Sequence, residues 1–269
     1  AYYDGYHFCH RNMIDIFNPF SFINALDDRE LRNYWASSGA TSLLPKFVDD
    51  MEMKMEYFDH CFIEGDTLET SDVVNGGAEL FLYQSGYLTI KGYDDGVYIL
   101  GFPNFEVRKA LYRVVVPALT MKSNSEVVSA QSFLRKMMQD GNTAEAKKAL
   151  KALIADVPYS NKKMASMDME ERYRLIMSTI FRALGFRVEV ERMLATGRID
   201  MIVEVPSFIY VLELKLSNNG GISAAESQIK EKSYTEPFKA DKRKVIALAV
   251  ELDETGKGLI DWKEVDESL

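Results

Sequence analysis

The sequence has few cysteines and histidines, and this scarcity limits the kinds of catalytic site and metal site that it can form. Its 269 residues include two cysteines, Cys9 and Cys61, and three histidines. Two cysteines in a chain of this length do not make a disulfide framework, which indicates a reducing compartment. Beyond residue 160 the chain has neither histidine nor cysteine. A Ser-His-Asp or Cys-His arrangement for nucleophilic catalysis therefore cannot be built there.

The histidines lie close to the cysteines in sequence, at His7 and His10 beside Cys9 and at His60 beside Cys61. The spacing of His7, Cys9 and His10 is not one that zinc sites use, and aromatic residues surround it. We interpret these histidines as packing residues.

Long apolar runs are also missing, so the sequence predicts no membrane span and no membrane partner. The first residues, AYYDGYHFCH, lack the basic and apolar regions of a signal peptide, and we expect a cytoplasmic protein. No G-x-x-x-x-G-K-[ST] motif is present, so we expect this chain not to bind ATP by itself. Because it begins at Ala1 without a methionine, within a stretch that reads as folded, we expect a fragment of a longer protein.

The net charge of −9 disfavours a protein that coats nucleic acid non-specifically, since that affinity comes from local lysines and arginines. The charges are unevenly spread. Residues 160–250 carry 15 basic and 12 acidic residues, whereas the tail from Glu251 carries 7 acidic and 2 basic ones. Basic residues crowd the approach to the last predicted strand, where they form either a phosphate-facing edge or a solvated surface: Lys230, Lys232, Lys239, Lys242, Arg243 and Lys244.

Two neighbouring predicted strands are mostly apolar, yet each carries charged side chains on one face. Residues 198–205 alternate so that Asp200 shares a face with Ile202 and Glu204. Residues 208–216 alternate so that Glu213 and Lys215 share a face. If the strands pair, Asp200 lies beside Glu213, and two carboxylate ligands suit magnesium or manganese. Charges inside a sheet are costly unless they are paired or bind a metal.

The order of elements around this pair resembles the PD-(D/E)XK nuclease superfamily, over roughly residues 160–255. The acidic residue of the family's second strand matches Asp200, and the E-x-K of its third strand matches Glu213 and Lys215. The proline of the family name is absent, since Ile199 precedes Asp200. The supporting elements are a helix at Glu170 to Leu184, a strand at Phe186 to Glu191, a helix with Gln228 and Tyr234, and a strand at Lys244 to Leu252.

The resemblance implies an α/β domain with a mixed sheet flanked by helices, and a metal-dependent nuclease acting on DNA in preference to RNA. It implies that Asp200, Glu213 and the carbonyl of Leu214 bind magnesium or manganese, with Lys215 and Gln228 as catalytic residues. A helical glutamate present in many members would be Glu171. Glu171 also fits a capping box with Asp168, and Gln228 and Tyr234 also fit solvated and packing positions.

The N-terminal motifs YDGYHF, NPFSFINAL and LRNYW followed by SGATS resemble the C-terminal part, or lid, of an AAA-ATPase-like domain. That domain precedes a PD-(D/E)XK domain in many proteins of gut bacteria. The resemblance covers residues 1–44 and implies that the nucleotide-binding half lies upstream of Ala1 as a partner region.

Residues 45–120 read as a mostly helical module with one hairpin and resemble a winged helix. Helices are predicted over 45–57 and 77–85, strands over 87–91 and 97–101, and a further helix after Asn104. A winged helix either reads DNA or serves as a protein contact, and the absence of lysine and arginine from the candidate recognition helix, GGAELFLYQSG, disfavours DNA reading.

Residues 121–159 read as a helical connector, and Pro158 with the polar residues 160–163 marks the start of the nuclease-like domain at 160–269. Two functions of different class fit the whole chain. One is a metal-dependent phosphodiesterase attached to an ATPase-like remnant. The other is a catalytically silent nuclease fold that serves as an interaction platform coupled to an ATPase-like switch.

Overall fold

A computed structural model describes residues 2–35, 57–69, 77–155 and 167–266. The chain divides into two compact units, Ala1–Val115 and Val116–Leu269. In the described residues, no helix combines the length and the apolar character needed to cross a bilayer.

The first unit contains short helices around a three-stranded antiparallel sheet with the strand order β1-β3-β2. Its first helix begins as the sequence predicts, because the Asn18 side chain accepts a hydrogen bond from the Ser21 amide and Pro19 opens the first turn. Its elements are α1 (Pro19–Asp28), β1 (Cys61–Glu64), α2 (Gly65–Leu68), α3 (Gly77–Gln84), β2 (Thr89–Asp94), β3 (Val97–Gly101) and most of α4 (Phe105–Thr120), which continues into the second unit.

The predicted hairpin is present, with a tighter turn than its sequence indicates. Strands β2 and β3 meet at Asp95 and Gly96, which have φ values of 42° and 87°, the conformation of a two-residue hairpin turn. Strand β1 pairs with β3 and adds a third strand to the expected two. The winged-helix resemblance stays a prediction. The helix expected over 45–57 lies, apart from its last residue, outside the described residues.

The second unit is a five-stranded mixed sheet flanked by helices, which confirms the predicted fold class. The strand order is β4-β5-β6-β7-β8. Neighbouring strands are antiparallel except β6 and β7, which are parallel because a helix crosses between them. The elements are α5 (Asn124–Gln139), α6 (Thr143–Leu153), α7 (Met169–Ala183), β4 (Arg187–Leu194), β5 (Gly197–Glu204), β6 (Phe208–Leu216), α8 (Gly221–Lys232), β7 (Lys244–Leu252) and β8 (Leu259–Val265).

Helices α5 and α6, which the sequence suggested as a connector, pack on this sheet. The buried Tyr210 hydroxyl of β6 donates to the Met138 carbonyl at 2.6 Å. The Trp262 indole of β8 donates to the Thr143 carbonyl at 3.1 Å. The structure thus divides the chain at residue 115/116, whereas the sequence placed boundaries at 120 and 160. The second of these falls outside the described residues.

Gly141, between α5 and α6, lies against the ring of Phe208. Its φ is +73°, and a Cβ there would lie 2.4 Å from Phe208 Cζ. We expect Gly141→Ala to lower the free energy of unfolding by about 1–3 kcal/mol through strain and overpacking. Urea denaturation followed by circular dichroism measures this.

Gly96 is the matched control, because its φ is +87° and no atom lies within 4 Å of its Cβ position. Gly96→Ala should cost only the left-handed backbone penalty, about 1 kcal/mol. Equal losses for the two variants would show that the Phe208 contact is not tight.

Candidate active site

The site lies on the sheet face that packs against α8. Ile202 pairs with Val211 across β5 and β6, and both belong to the apolar cluster that includes Ala225 and Ile229 of α8. The side-chain alternation then places Asp200 and Glu213 next to each other on this same face. Asp200 is 4 % exposed and Glu213 is fully buried. The structure therefore brings the two predicted carboxylates together, away from solvent.

Each carboxylate has one defined partner. Asp200 Oδ2 accepts a hydrogen bond from the Leu214 amide at 2.8 Å. Glu213 Oε1 accepts one from Lys215 Nζ at 2.6 Å, and Lys215 Nζ also donates to the Leu214 carbonyl at 3.2 Å. The second oxygen of Glu213, Oε2, is buried and has no hydrogen-bond donor among the described residues. The ammonium thus contacts two of the three groups that the sequence assigned to a metal.

The charges of this cluster do not balance. Burial and, after it, the neighbouring Asp200 raise the pKa of Glu213 to about 8, although the hydrogen bond and the charge of Lys215 act in the opposite direction. Burial lowers the pKa of Lys215, but Glu213, Asp200 and Glu170 outweigh burial, so the net shift is upward. The ammonium is therefore stabilised, while the Glu213 carboxylate remains an unfavourable anion. Three carboxyl groups face one lysine, so Glu213 holds a proton up to about pH 8, and a cation that replaces this proton would neutralise the carboxylate.

The helical glutamate that faces the site is Glu170 rather than Glu171. Glu170 is half-buried at the start of α7, burial raises its pKa, and it interacts electrostatically with Lys215 and Asp200. Glu171 is exposed. Asp168 caps this helix by accepting from the Glu170 amide. The helix phase carries the signal that the sequence interpretation missed, since Glu170 lies one turn before the fully buried Tyr173 and two turns before the fully buried Met177.

A comparison with protein families decides what this domain is. A family model described as the PD-(D/E)XK nuclease superfamily matches residues 168–262. Residues 168–262 are a PD-(D/E)XK nuclease superfamily domain. The match runs from the cap of α7 into β8 and includes all the residues of the charged cluster.

A curated relative extends beyond this nuclease-superfamily domain. It is an uncharacterized protein in the vnfD 5′ region of Azotobacter chroococcum mcd 1, 25 % identical over 283 residues. The alignment covers 100 % of this chain and 52 % of the relative, so the chain spans about half the length of that relative. No solved structure matched the chain.

Gln228 and Tyr234 meet each other at the edge of the nuclease-superfamily site. The Gln228 amide nitrogen donates to the Tyr234 hydroxyl at 2.9 Å, and that hydroxyl donates to the Arg198 carbonyl at 2.7 Å. Tyr234 is buried, as expected of a packing residue. A direct contact from Gln228 to Lys215 stays a prediction. The pair instead ties the end of α8 to the strand that carries Asp200. That helix begins at Gly221, two residues before the predicted Ser223.

The predicted basic edge is partly neutralised. Lys230 pairs with Glu226 at 3.1 Å, and Lys239 pairs with Glu236. Arg243 pairs with both Glu204 and Asp241. These basic residues are held by carboxylates of the same domain, which favours the solvated-surface interpretation for them. The histidines near the N-terminus serve packing and hydrogen bonding, since His7 contacts the Ile90 carbonyl at 2.8 Å and His10 stacks on Tyr93.

The residues present fit a hard divalent cation. A buried carboxylate oxygen without a donor, Glu213 Oε2, lies beside a second carboxylate, Asp200, and oxygen ligands of this kind suit magnesium and manganese. Within the described ranges, no three His, Cys, Asp or Glu side chains are arranged to hold a metal. A cation here would take Asp200 and Glu213 and complete its coordination with the Leu214 carbonyl and water.

Metal binding at this site should depend on pH. The folded-state pKa of Glu213 lies above its unfolded value, so the folded chain binds more protons than the unfolded chain between about pH 5 and pH 8. Without metal, stability should therefore fall as pH rises through this window. The affinity for Mn²⁺ should rise, by up to about tenfold per pH unit below pH 8, because the cation displaces that proton. Calorimetric titration across this range, in buffers of different ionisation enthalpy, measures both affinity and proton release.

If the affinity for Mn²⁺ does not change between pH 5.5 and pH 8, Glu213 is not a ligand that loses a proton when the cation binds. Glu213→Gln is the control, and its residual Mn²⁺ binding should lose the pH dependence.

Proposed function

We propose that the nuclease-superfamily domain is a magnesium- or manganese-dependent phosphodiesterase that cleaves nucleic acid, with DNA favoured over RNA. The observation that carries the proposal is the buried Asp200–Glu213 pair with Lys215 bound to Glu213. The resemblance to the PD-(D/E)XK nuclease superfamily supports it, since these three side chains match the acidic and E-x-K positions that this resemblance implies. With Glu213 ionised, the buried cluster carries excess negative charge, which is unfavourable by itself and favours a cation.

Each residue of the cluster has a distinct task in this proposal. Asp200 and Glu213 hold the cation, and the Asp200 carboxylate is oriented by its bond from the Leu214 amide. When bound, a divalent cation polarises the phosphate and makes water a better nucleophile at neutral pH. Lys215 donates hydrogen bonds from its ammonium and orients the attacking water and a phosphate oxygen. Glu170 adds negative potential that keeps Lys215 protonated.

Cleavage assays with single-stranded, duplex and branched DNA, and with RNA, test the proposal. We expect cleavage with Mg²⁺ or Mn²⁺ and none in EDTA. A chain that binds Mn²⁺ but cleaves no substrate under any divalent-ion condition would contradict the proposal.

We also propose, as a second candidate, that the chain acts as an interaction platform coupled to an ATPase-like region upstream. The N-terminal motifs support such a region. One observation favours a protein contact: α1 exposes Phe20, Ile23 and Leu26 by 45–63 %, and exposed apolar patches mark interaction sites. Metal binding without cleavage would favour this candidate over the enzyme.

A further inference from the structure

The strand β4 is distorted at the residue that faces Asp200. Val190 pairs with Met201 and Arg192 pairs with Ile199, so Glu191 lies opposite Asp200 with the strand register unchanged on either side. Its φ is 52°, which is unfavourable for a residue other than glycine, asparagine or aspartate. Strained backbone next to a site is a reason to ask what the residue does.

The Glu191 carboxylate is bound by two arginines from different elements. Glu191 Oε1 lies 3.1 Å from Arg174 Nη2 on α7 and 2.8 Å from Arg198 Nη1 on β5. The Arg174 side chain is 12 % exposed, whereas Arg198 is 50 % exposed and Glu191 is 41 % exposed. One guanidinium is thus fixed in the protein, and the other is at the surface.

Both arginines flank the cluster of Asp200 and Glu213. Arg198 precedes Asp200 by two residues on β5, so alternation places the two on the same side of the strand. Arg174 follows Glu170 by one helical turn, and the two interact electrostatically. The carboxylates of the site repel a polyanionic backbone, so a substrate needs cations beside them to approach.

We propose that Arg174 and Arg198 form a phosphate-binding subsite beside the Asp200–Glu213 site, and that the Glu191 carboxylate occupies it until a nucleic-acid phosphate replaces it. The inference rests on the proposed function for the identity of the ligand. Carboxylate and phosphate oxygens take the same guanidinium donors, so a glutamate held by two arginines marks a place where a phosphate fits. The phosphate bound here is a neighbour of the one that is cleaved.

Fluorescence anisotropy with a fluorescein-labelled single-stranded DNA tests the subsite, using the full chain with Lys215→Met in Mn²⁺ so that cleavage does not interfere. Arg174→Gln and Arg198→Gln should each weaken binding roughly 3- to 10-fold. Each should also reduce the slope of log affinity against log salt by about 0.7, the value for one lost phosphate contact. A merely structural role would leave that slope unchanged, and an unchanged slope overturns the proposal.

Arg187→Gln is the matched control. Arg187 lies at the other end of β4 and pairs with Glu204 at 3.6 Å, so its loss should change neither affinity nor slope. An effect equal to that of Arg198→Gln would show general charge attraction and would overturn the subsite.

Glu191 variants test the replacement step directly. Glu191→Gln should tighten DNA binding about threefold or more, because the arginines no longer have a competing carboxylate. Glu191→Asn should do the same and suits the positive φ, so it remains informative if the glutamine variant folds poorly. Unchanged or weaker binding by a folded Glu191→Asn chain overturns the proposal.

The two proposals fail separately. If the wild-type chain cleaves nothing but these variants shift DNA binding as expected, the subsite stands and the enzyme proposal falls. If the wild-type chain cleaves DNA while the arginine variants bind and cleave it as the wild type does, the subsite alone is wrong.

Discussion

Replacing Asp200 with asparagine should abolish Mn²⁺ binding and cleavage while leaving the fold intact. Asparagine keeps an oxygen that accepts from the Leu214 amide, a bond of 2.8 Å in the structure. It removes the charge that a cation needs and that also raises the pKa of Glu213. We expect metal affinity to fall more than about 100-fold, beyond the usual cost of losing a residue that only orients a ligand. Calorimetric titration with Mn²⁺ measures the loss.

The metal-free Asp200→Asn chain should be at least as stable as the wild type, because the repulsion between two buried carboxylates is gone. Mn²⁺ at about 100 times its Kd should stabilise the wild type by about 2.7 kcal/mol and the variant hardly at all. Asp200→Ala is less suitable, since it leaves the buried Leu214 amide without an acceptor at a cost of about 1–3 kcal/mol.

Glu204→Gln is the control for Asp200→Asn. Glu204 lies on the same face of β5 but at its far end, where it pairs with Arg243 at 2.9 Å. Its replacement should leave Mn²⁺ binding unchanged. Wild-type metal affinity in Asp200→Asn would exclude Asp200 as a ligand.

Replacing Lys215 with methionine should separate metal binding from chemistry. The variant keeps both carboxylates and the Leu214 carbonyl, and it removes the ammonium that contacts Glu213 and Leu214. Mn²⁺ affinity should be equal to or greater than that of the wild type, because the cation no longer competes with the ammonium. Cleavage should slow by roughly 10²- to 10⁴-fold, as for other lost catalytic donors or proton-transfer groups.

The metal-free Lys215→Met chain should also be less stable, by about 1–3 kcal/mol, since Glu213 loses its only described donor. Single-turnover cleavage and thermal denaturation with and without Mn²⁺ measure these effects. Lys244→Met, at an exposed position on β7, is the control and should match the wild type. If the Lys215→Met chain cleaves at the wild-type rate, Lys215 is not a catalytic residue.

The sequence could predict most of the sheet because its central strands have clear patterns. β6 and β7 have the bounds that alternation and continuous apolar character indicate, Phe208–Leu216 and Lys244–Leu252. β8 could not be found in this way. Its buried residues, Leu259, Trp262 and Val265, are three apart, a spacing that does not alternate and so gives no strand signal.

The pairing of Asp200 with Glu213 was predictable because the period of a strand fixes the face of each residue. The sequence interpretation named Glu171, whereas the structure places Glu170 near Lys215 and Asp200, because adjacent helical residues differ in direction by about 100°. The contacts of Gln228 were not predictable either. They depend on where the end of α8 lies relative to Arg198. Tertiary packing sets that distance, and the local sequence pattern does not predict it.

The packing of α5 and α6 on the sheet has a consequence for where the second unit can be truncated. The family match begins at residue 168, but Tyr210, Phe208 and Trp262 rest on residues 138–143. A chain trimmed to the matched residues would leave that apolar side of the sheet bare and prone to self-association. We therefore expect the smallest fragment that folds by itself to start at α5, some forty residues before the family match begins.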